Sequence, residues 1–175
     1  MIIKDNTYKV MKVFFDSPEE SFYIRELSRI THLSPPGIIK IINNLKKEKL
    51  LKSEKTKTVE NISVIKDEKF IQLKRAYNIV SVQESELVKL IREKYEEPEA
   101  VVLFGSYSKG EDTSKSDIDI AIITKKHLDI DLSSFEKILQ RKISIYEIQL
   151  KDSEKEFINS LANGVIMYGY LKVLT

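Results

Sequence analysis

Two aspartates one residue apart, Asp117 and Asp119, open the apolar run "SDIDIAIIT", and a Gly-Ser pair, Gly105 and Ser106, closes the run before it. Successive strand residues point to opposite faces, so the two carboxylates project together, with Cα atoms roughly 6.5–7 Å apart. Carboxylates at that separation suit divalent metal ions, and a two-metal phosphoryl-transfer site sets its ions about 3.5–4 Å apart. Upstream, Gly105 lets the backbone come close to a ligand. Ser106 supplies a hydroxyl, and the turn after it offers N–H groups suited to phosphate. This spacing points to a triphosphate on one side and its metals on the other. Gly105 to Gly110 also begin like a Walker A loop, which must continue with Lys and Ser/Thr. Here Glu111 and Asp112 follow, and the P-loop reading fails.

The elements that must position these groups are legible around them. "AVVLF" reads as a buried strand, "SDIDIAIIT" as a second and "KISIYEI" as a third. Helical patterns run over Ser85–Glu96, Asp131–Gln140 and Asp152–Ala162, and "VIMYGYL" after the Asn163-Gly164 turn reads as a last short strand. Alternating strands and helices indicate an α/β domain. His127 and Asp129 follow the second strand and are expected in a solvated loop.

Charge divides the chain. Residues 1–80 hold 16 Lys/Arg against 10 Asp/Glu, net +6, whereas residues 81–175 hold 13 against 17, net −4. That asymmetry suggests two modules with different partners, a polyanion for the first and a metal cation for the second. With 42% hydrophobic and 32% charged residues among 175, the chain is globular. No apolar run approaches the roughly 20 residues of a membrane span. The start "MIIKDNTYKV" has no signal-peptide core, and the sequence has no cysteine for disulfides or thiolate metal sites. A cytoplasmic protein is expected.

In the basic half, "TYKVMKVFFD" has helical spacing, and a second helix is expected with Leu27 and Ile30 facing inward. His32 is expected to be structural in the turn that follows. Ser34 is placed to cap the next helix, with Pro35 at its first position. Ile38, Ile41, Ile42 and Leu45 form its apolar stripe. Lys40, Asn43, Asn44 and Lys47 occupy the opposite face. "LLKSEKTKTVENISVI" reads as two strands around a basic turn. Residues 34–57 carry seven lysines against two glutamates. "DEKFIQLKRAYNIV" gives a connector helix with Phe70, Leu73, Tyr77 and Val80 on one face.

Three helices, a hairpin and this lysine cluster make residues 5–75 resemble the winged helix-turn-helix DNA-binding domains. The resemblance implies that the Ser34–Lys49 helix enters the major groove of duplex DNA and that the Lys52–Asn61 wing contacts phosphates or the minor groove. Lys40, Lys47, Lys52, Lys55 and Lys57 would displace counterions, and Asn43 and Asn44 would read base edges. It also implies pairing of two copies, a homodimer.

"GSYSKGEDTSKSDIDI" resembles the G-S-x-x-x-G…S-D-x-D signature of the polymerase β-like nucleotidyltransferases in their minimal form. Gly105, Ser106, Gly110, Ser116, Asp117 and Asp119 fall at that spacing, and the resemblance covers residues 83–170. It implies an α/β domain with a mixed sheet, a nucleoside triphosphate substrate (ATP being the expected one), magnesium held by Asp117 and Asp119 as catalytic residues, and nucleotidyl transfer to a hydroxyl. Gly105, Ser106, Lys109, Gly110 and Ser116 would bind the nucleotide. The family usually places a third acidic residue on the next central strand. Here the expected place is Ser144, and Glu147 falls on the opposite face by alternation.

The expected fold is therefore α/β in two domains, a winged helix with connector helix over 1–80 and a minimal nucleotidyltransferase over 83–175. Three functions follow: a nucleotidyltransferase whose acceptor is a protein or small molecule, a transcription regulator that binds nucleotide with little catalysis, or an antitoxin-like partner of a toxin chain.

Overall fold

The computed structural model describes residues 5–55 and 59–172, and the chain divides into two compact units that meet at Ile71/Gln72. Among the described residues there are eight α-helices and six strands. No helix among them is long and apolar enough to cross a membrane.

The first unit begins with α1 (Asn6–Asp16), capped by the Asp5 carboxylate, which accepts the Tyr8 N–H at 2.8 Å. Its buried positions are Val10, Met11, Phe14 and Phe15. Next comes α2 (Ile24–Thr31), which ends on His32 in the left-handed region at φ 57°. α3 (Pro35–Lys47) starts as its sequence predicts: Ser34 Oγ accepts the Gly37 N–H, and proline fills the first position. β1 (Leu51–Lys55) and β2 (Glu60–Val64) pair antiparallel, from Leu51 opposite Val64 to Lys55 opposite Glu60. Phe22 adds an antiparallel bridge to Ile62. Phe14 and Phe22 meet edge to face at 5.4 Å between ring centres, a favoured aromatic geometry. Ile30 departs from its expected inward position and is 49% exposed. α2 is only two turns long, and its buried positions are Leu27 and Thr31, one residue further round.

α4 (Glu68–Glu84) straddles the division of the chain. Its apolar residues were expected to mark the buried stripe, but Leu73 is 41% exposed. The buried positions include Phe70, Lys74, Asn78 and Val82, four residues apart, so two polar side chains lie in the stripe.

The second unit is built on a four-stranded mixed sheet in the order β5-β4-β3-β6. β3 (Ala100–Phe104) pairs antiparallel with β4 (Ile118–Ile123) and with β6 (Val165–Gly169), while β5 (Ile143–Ile148) runs parallel to β4. Strand alternation separates two cores. On one face Val101, Leu103, Ile118, Ile120, Ile122 and Ile143 pack with Val82 of α4 and with Leu87, Val88 and Ile91 of α5 (Leu87–Lys94). Phe135 and Leu139 of α7 (Ser133–Leu139) cover the same face. On the other face Ala100, Val102, Phe104, Ala121 and Ile123 pack with Leu161 and Phe157 of α8 (Lys155–Ala162). A single-turn α6 (Gly105–Lys109) leaves β3 without an intervening loop.

Phe14 is fully buried and is the aromatic centre of the first unit's core. Phe14→Ala is expected to cost about 3–5 kcal/mol, read as a lowered midpoint in urea denaturation. A loss below about 1 kcal/mol, the level of a surface change, would contradict this packing.

Candidate active site

The site forms where β3 ends and β4 begins. Phe104, the last residue of β3, lies opposite Asp119 in the antiparallel register. Asp117 immediately precedes β4 and is exposed, while Asp119, two residues on, is half-buried. Gly105 turns the chain into α6 at φ +73°, a conformation that favours glycine. A Cβ at Gly105 would collide with the Asp119 carboxylate. The glycine therefore serves twice, making the turn and leaving room for the acid. Gly110 closes α6 at φ +77°.

Two backbone donors close α6. Gly110 N–H is donated to Tyr107 O at 3.3 Å and Glu111 N–H to Ser106 O at 3.1 Å. Helix closure takes both donors. Ser106 is half-buried on α6, and Lys109, its last residue, is exposed. The Ser116 hydroxyl accepts the Thr113 N–H at 3.0 Å and stabilises the turn that delivers Asp117.

Burial and the neighbouring Asp117 charge push the Asp119 carboxyl above its ordinary value, and the Tyr146 hydroxyl pulls it back down. That hydroxyl lies 3.5 Å from Asp119 Oδ1, at the outer edge of hydrogen bonding. The Tyr146 ring is wedged between Phe104 and Phe157, at 5.3 and 6.0 Å between centres. Sequence reading gave Tyr146 no role, although its shared face with Ser144 was the available signal.

Residues 85–170 match the family model described as "Polymerase beta, Nucleotidyltransferase". They are a nucleotidyltransferase-like domain. No curated protein gives a significant match. Among solved structures, half of the chain is similar to a mutant of Lactococcus lactis ZitR, at 14% identity and TM-score 0.39, covering 60% of that chain. A toxin-antitoxin crystallised with AMP-PNP is similar over 50% of this chain and 73% of its own, at 24% identity and TM-score 0.40. A mutant of the toxin-antitoxin MntA-HpeT shares 21% identity over the same fractions, also at TM-score 0.40. At these scores the likenesses carry no argument about activity or partners.

In the nucleotidyltransferase-like domain, the register sets Ser144 of β5 directly beside Asp119 of β4. Glu147 does not replace the third carboxylate. It points to the other face, where its oxygens meet Tyr95 Oη, His127 Nδ1 at 2.9 Å and Leu128 N–H at 2.7 Å. Burial raises the Glu147 carboxyl, but these three partners hold it below its ordinary value. His127 is thus tied to Glu147, and nothing brings it to the aspartates. Among the described residues, no group of three or more His, Cys, Asp or Glu could hold a metal ion. The two aspartates alone still fit a small hard cation that takes its remaining ligands from water and phosphate oxygens.

In the first unit, Lys40, Asn43, Asn44 and Lys47 are all exposed on α3, opposite Ile38, Ile42 and Leu45. Lys52 and Lys55 are exposed on β1, and Lys52 Nζ lies 3.4 Å from Glu54. Lys57 lies outside the described residues.

The raised Asp119 carboxyl gives a pH prediction. Its ionised form penalises the fold above the folded pKa, and the penalty is absent below the unfolded value, about pH 4. Without metal, Asp119→Asn is expected to melt higher than wild type at pH 7, with the advantage shrinking as the pH falls towards 4. An Asn variant that melts lower at pH 7, or whose difference does not change with pH, would contradict this electrostatic picture.

Proposed function

We propose that the nucleotidyltransferase-like domain binds a nucleoside triphosphate, ATP being the first candidate, and transfers its nucleotidyl group to a hydroxyl on an acceptor. The observation that supports this most is the Asp119 carboxylate seated in the space left by Gly105, with Asp117 two residues away. Asp117 and Asp119 would hold magnesium, which when bound neutralises phosphate charge and polarises the phosphoryl group. Gly105, Ser106 and Lys109 face the triphosphate in this reading, with Gly110 and Ser116 shaping the loop. The acceptor oxygen bonds to the α-phosphorus, the bond to the β-phosphate breaks, and pyrophosphate leaves while the hydroxyl proton passes to water. With Ser144 beside Asp119 in place of an acid, no carboxylate is set to take that proton, so turnover is slow.

That same substitution favours a second reading, a regulator that binds nucleotide without turnover. We assign the first unit as a winged helix that places α3 in the major groove of duplex DNA. Four exposed polar side chains of α3 support this, Asn43 and Asn44 as base readers and Lys40 and Lys47 as phosphate contacts. Both readings expect a cytoplasmic protein, and the regulator reading adds a homodimer on paired half-sites.

Incubation with labelled nucleoside triphosphates, magnesium and cell extract is expected to yield a labelled product that disappears when Asp117 and Asp119 are both Asn. A labelled protein would mark the acceptor as a protein, including a toxin partner. A product that survives the double substitution would sink the site. Magnesium-dependent binding of nucleotide with no product would decide for the regulator.

DNA affinity is expected to fall steeply with salt, each phosphate contact adding about 0.9 to the slope of log affinity against log salt. Lys40→Ala with Lys47→Ala should lower that slope by up to about 2. No gel shift with mixed genomic fragments at low salt and micromolar protein would make the first unit a protein-docking module instead.

A further inference from the structure

The buried stripe of α4 contains a lysine and an asparagine where apolar residues were expected. Lys74 is 1% exposed and Asn78 is fully buried, as is their partner Asp112 at 1%. Lys74 Nζ donates to Asp112 Oδ2 at 2.7 Å, and Asn78 Nδ2 donates to Asp112 Oδ1 at 2.7 Å. Asn78 Nδ2 also donates to Tyr107 O at 2.8 Å. Arg141 is a more distant neighbour, with Nη2 3.9 Å from Asp112 Oδ2.

These partners occupy telling places in the chain. Tyr107 belongs to α6, directly after Gly105 and Ser106. Asp112 lies beyond Gly110 and immediately before the Thr113–Ser116 turn, closed by Ser116 N–H to Thr113 O at 3.1 Å, which delivers Asp117. One helix thus grips the loop on both sides of Gly110. Stability is a poor reason for such a cluster, since replacing a buried ion pair by apolar groups of similar volume is often neutral or stabilising. A fixed separation between two working segments is a better one, because reacting groups must be held within about 0.5 Å. Both gripping residues precede the stretch 85–170 that matches the family.

We propose that Lys74, Asn78 and Asp112 are positioning residues that fix the Gly105–Ser106 segment against the Asp117–Asp119 pair, and that nucleotide affinity depends on that separation. The proposal rests on the reading of the site as a nucleotide site. The test is the double substitution Lys74→Met and Asp112→Leu, which fills the same space without charge. Calorimetry with each of the four ribonucleoside triphosphates and magnesium is paired with amide hydrogen exchange on the ligand-free protein. The variant is expected to exchange the amides of residues 107–116 faster and to bind nucleotide about tenfold more weakly. Wild-type affinity and exchange in a folded double variant would overturn the proposal.

Should that variant fail to fold, Asn78→Ala decides. It keeps the ion pair but releases Tyr107 O. Faster exchange at 107–110 with weaker binding supports positioning, and unchanged values overturn it. Wild type that binds none of the four triphosphates would overturn the nucleotide reading itself. The exchange data would still show whether α4 holds the loop.

Discussion

The Asp119 carboxylate and the backbone of Gly105 compete for one small space, and the nucleotidyltransferase-like domain is arranged around that competition. The acid sits there because β3 and β4 pair with Phe104 opposite Asp119. The backbone can pass because residue 105 has no side chain and accepts φ +73°. Burying this acid, with Asp117 charged beside it, has an electrostatic cost, visible as the upward push on the Asp119 carboxyl. Folding alone gives no reason to carry that cost.

The rest of the sheet supports that contact. β4 is central, with β3 and β5 on either side, so its position is fixed from both directions. Phe104, Tyr146 and Phe157 form an aromatic wall beside Asp119. The Tyr146 hydroxyl of this wall lies 3.5 Å from Asp119 Oδ1. Asp117 stands outside the strand in solvent. The pair therefore combines a half-buried carboxylate with an exposed one.

Much of this was legible in the sequence because local chemistry demanded it. The alternation in "SDID" follows from a strand start buried on one face only, the apolar run after it from burial on both faces of β4, and Ser34-Pro35 announced the start of α3 through capping. The family resemblance pointed to Ser144 as the place beside Asp119, and alternation set Glu147 on the far face. What local pattern could not reveal was long-range pairing. Lys74 and Asn78 look like solvated helix residues until Asp112, far along the chain, is folded against them. In the turn after α6, Gly110 and Glu111 use their N–H groups to close the helix. Ile30 failed because a two-turn helix buries too narrow an arc to be placed by periodicity alone.

The central claim is that a divalent cation joins a triphosphate at Asp117 and Asp119 beside Gly105. Paramagnetic broadening by manganese localises such an ion directly. In amide NMR spectra of the whole chain with a non-hydrolysable ATP analogue, substoichiometric Mn²⁺ should first erase the signals of Gly105, Ser106, Asp117 and Asp119. Broadening that begins instead around Glu147 and His127, or that spreads evenly over the acidic surface, would contradict the account.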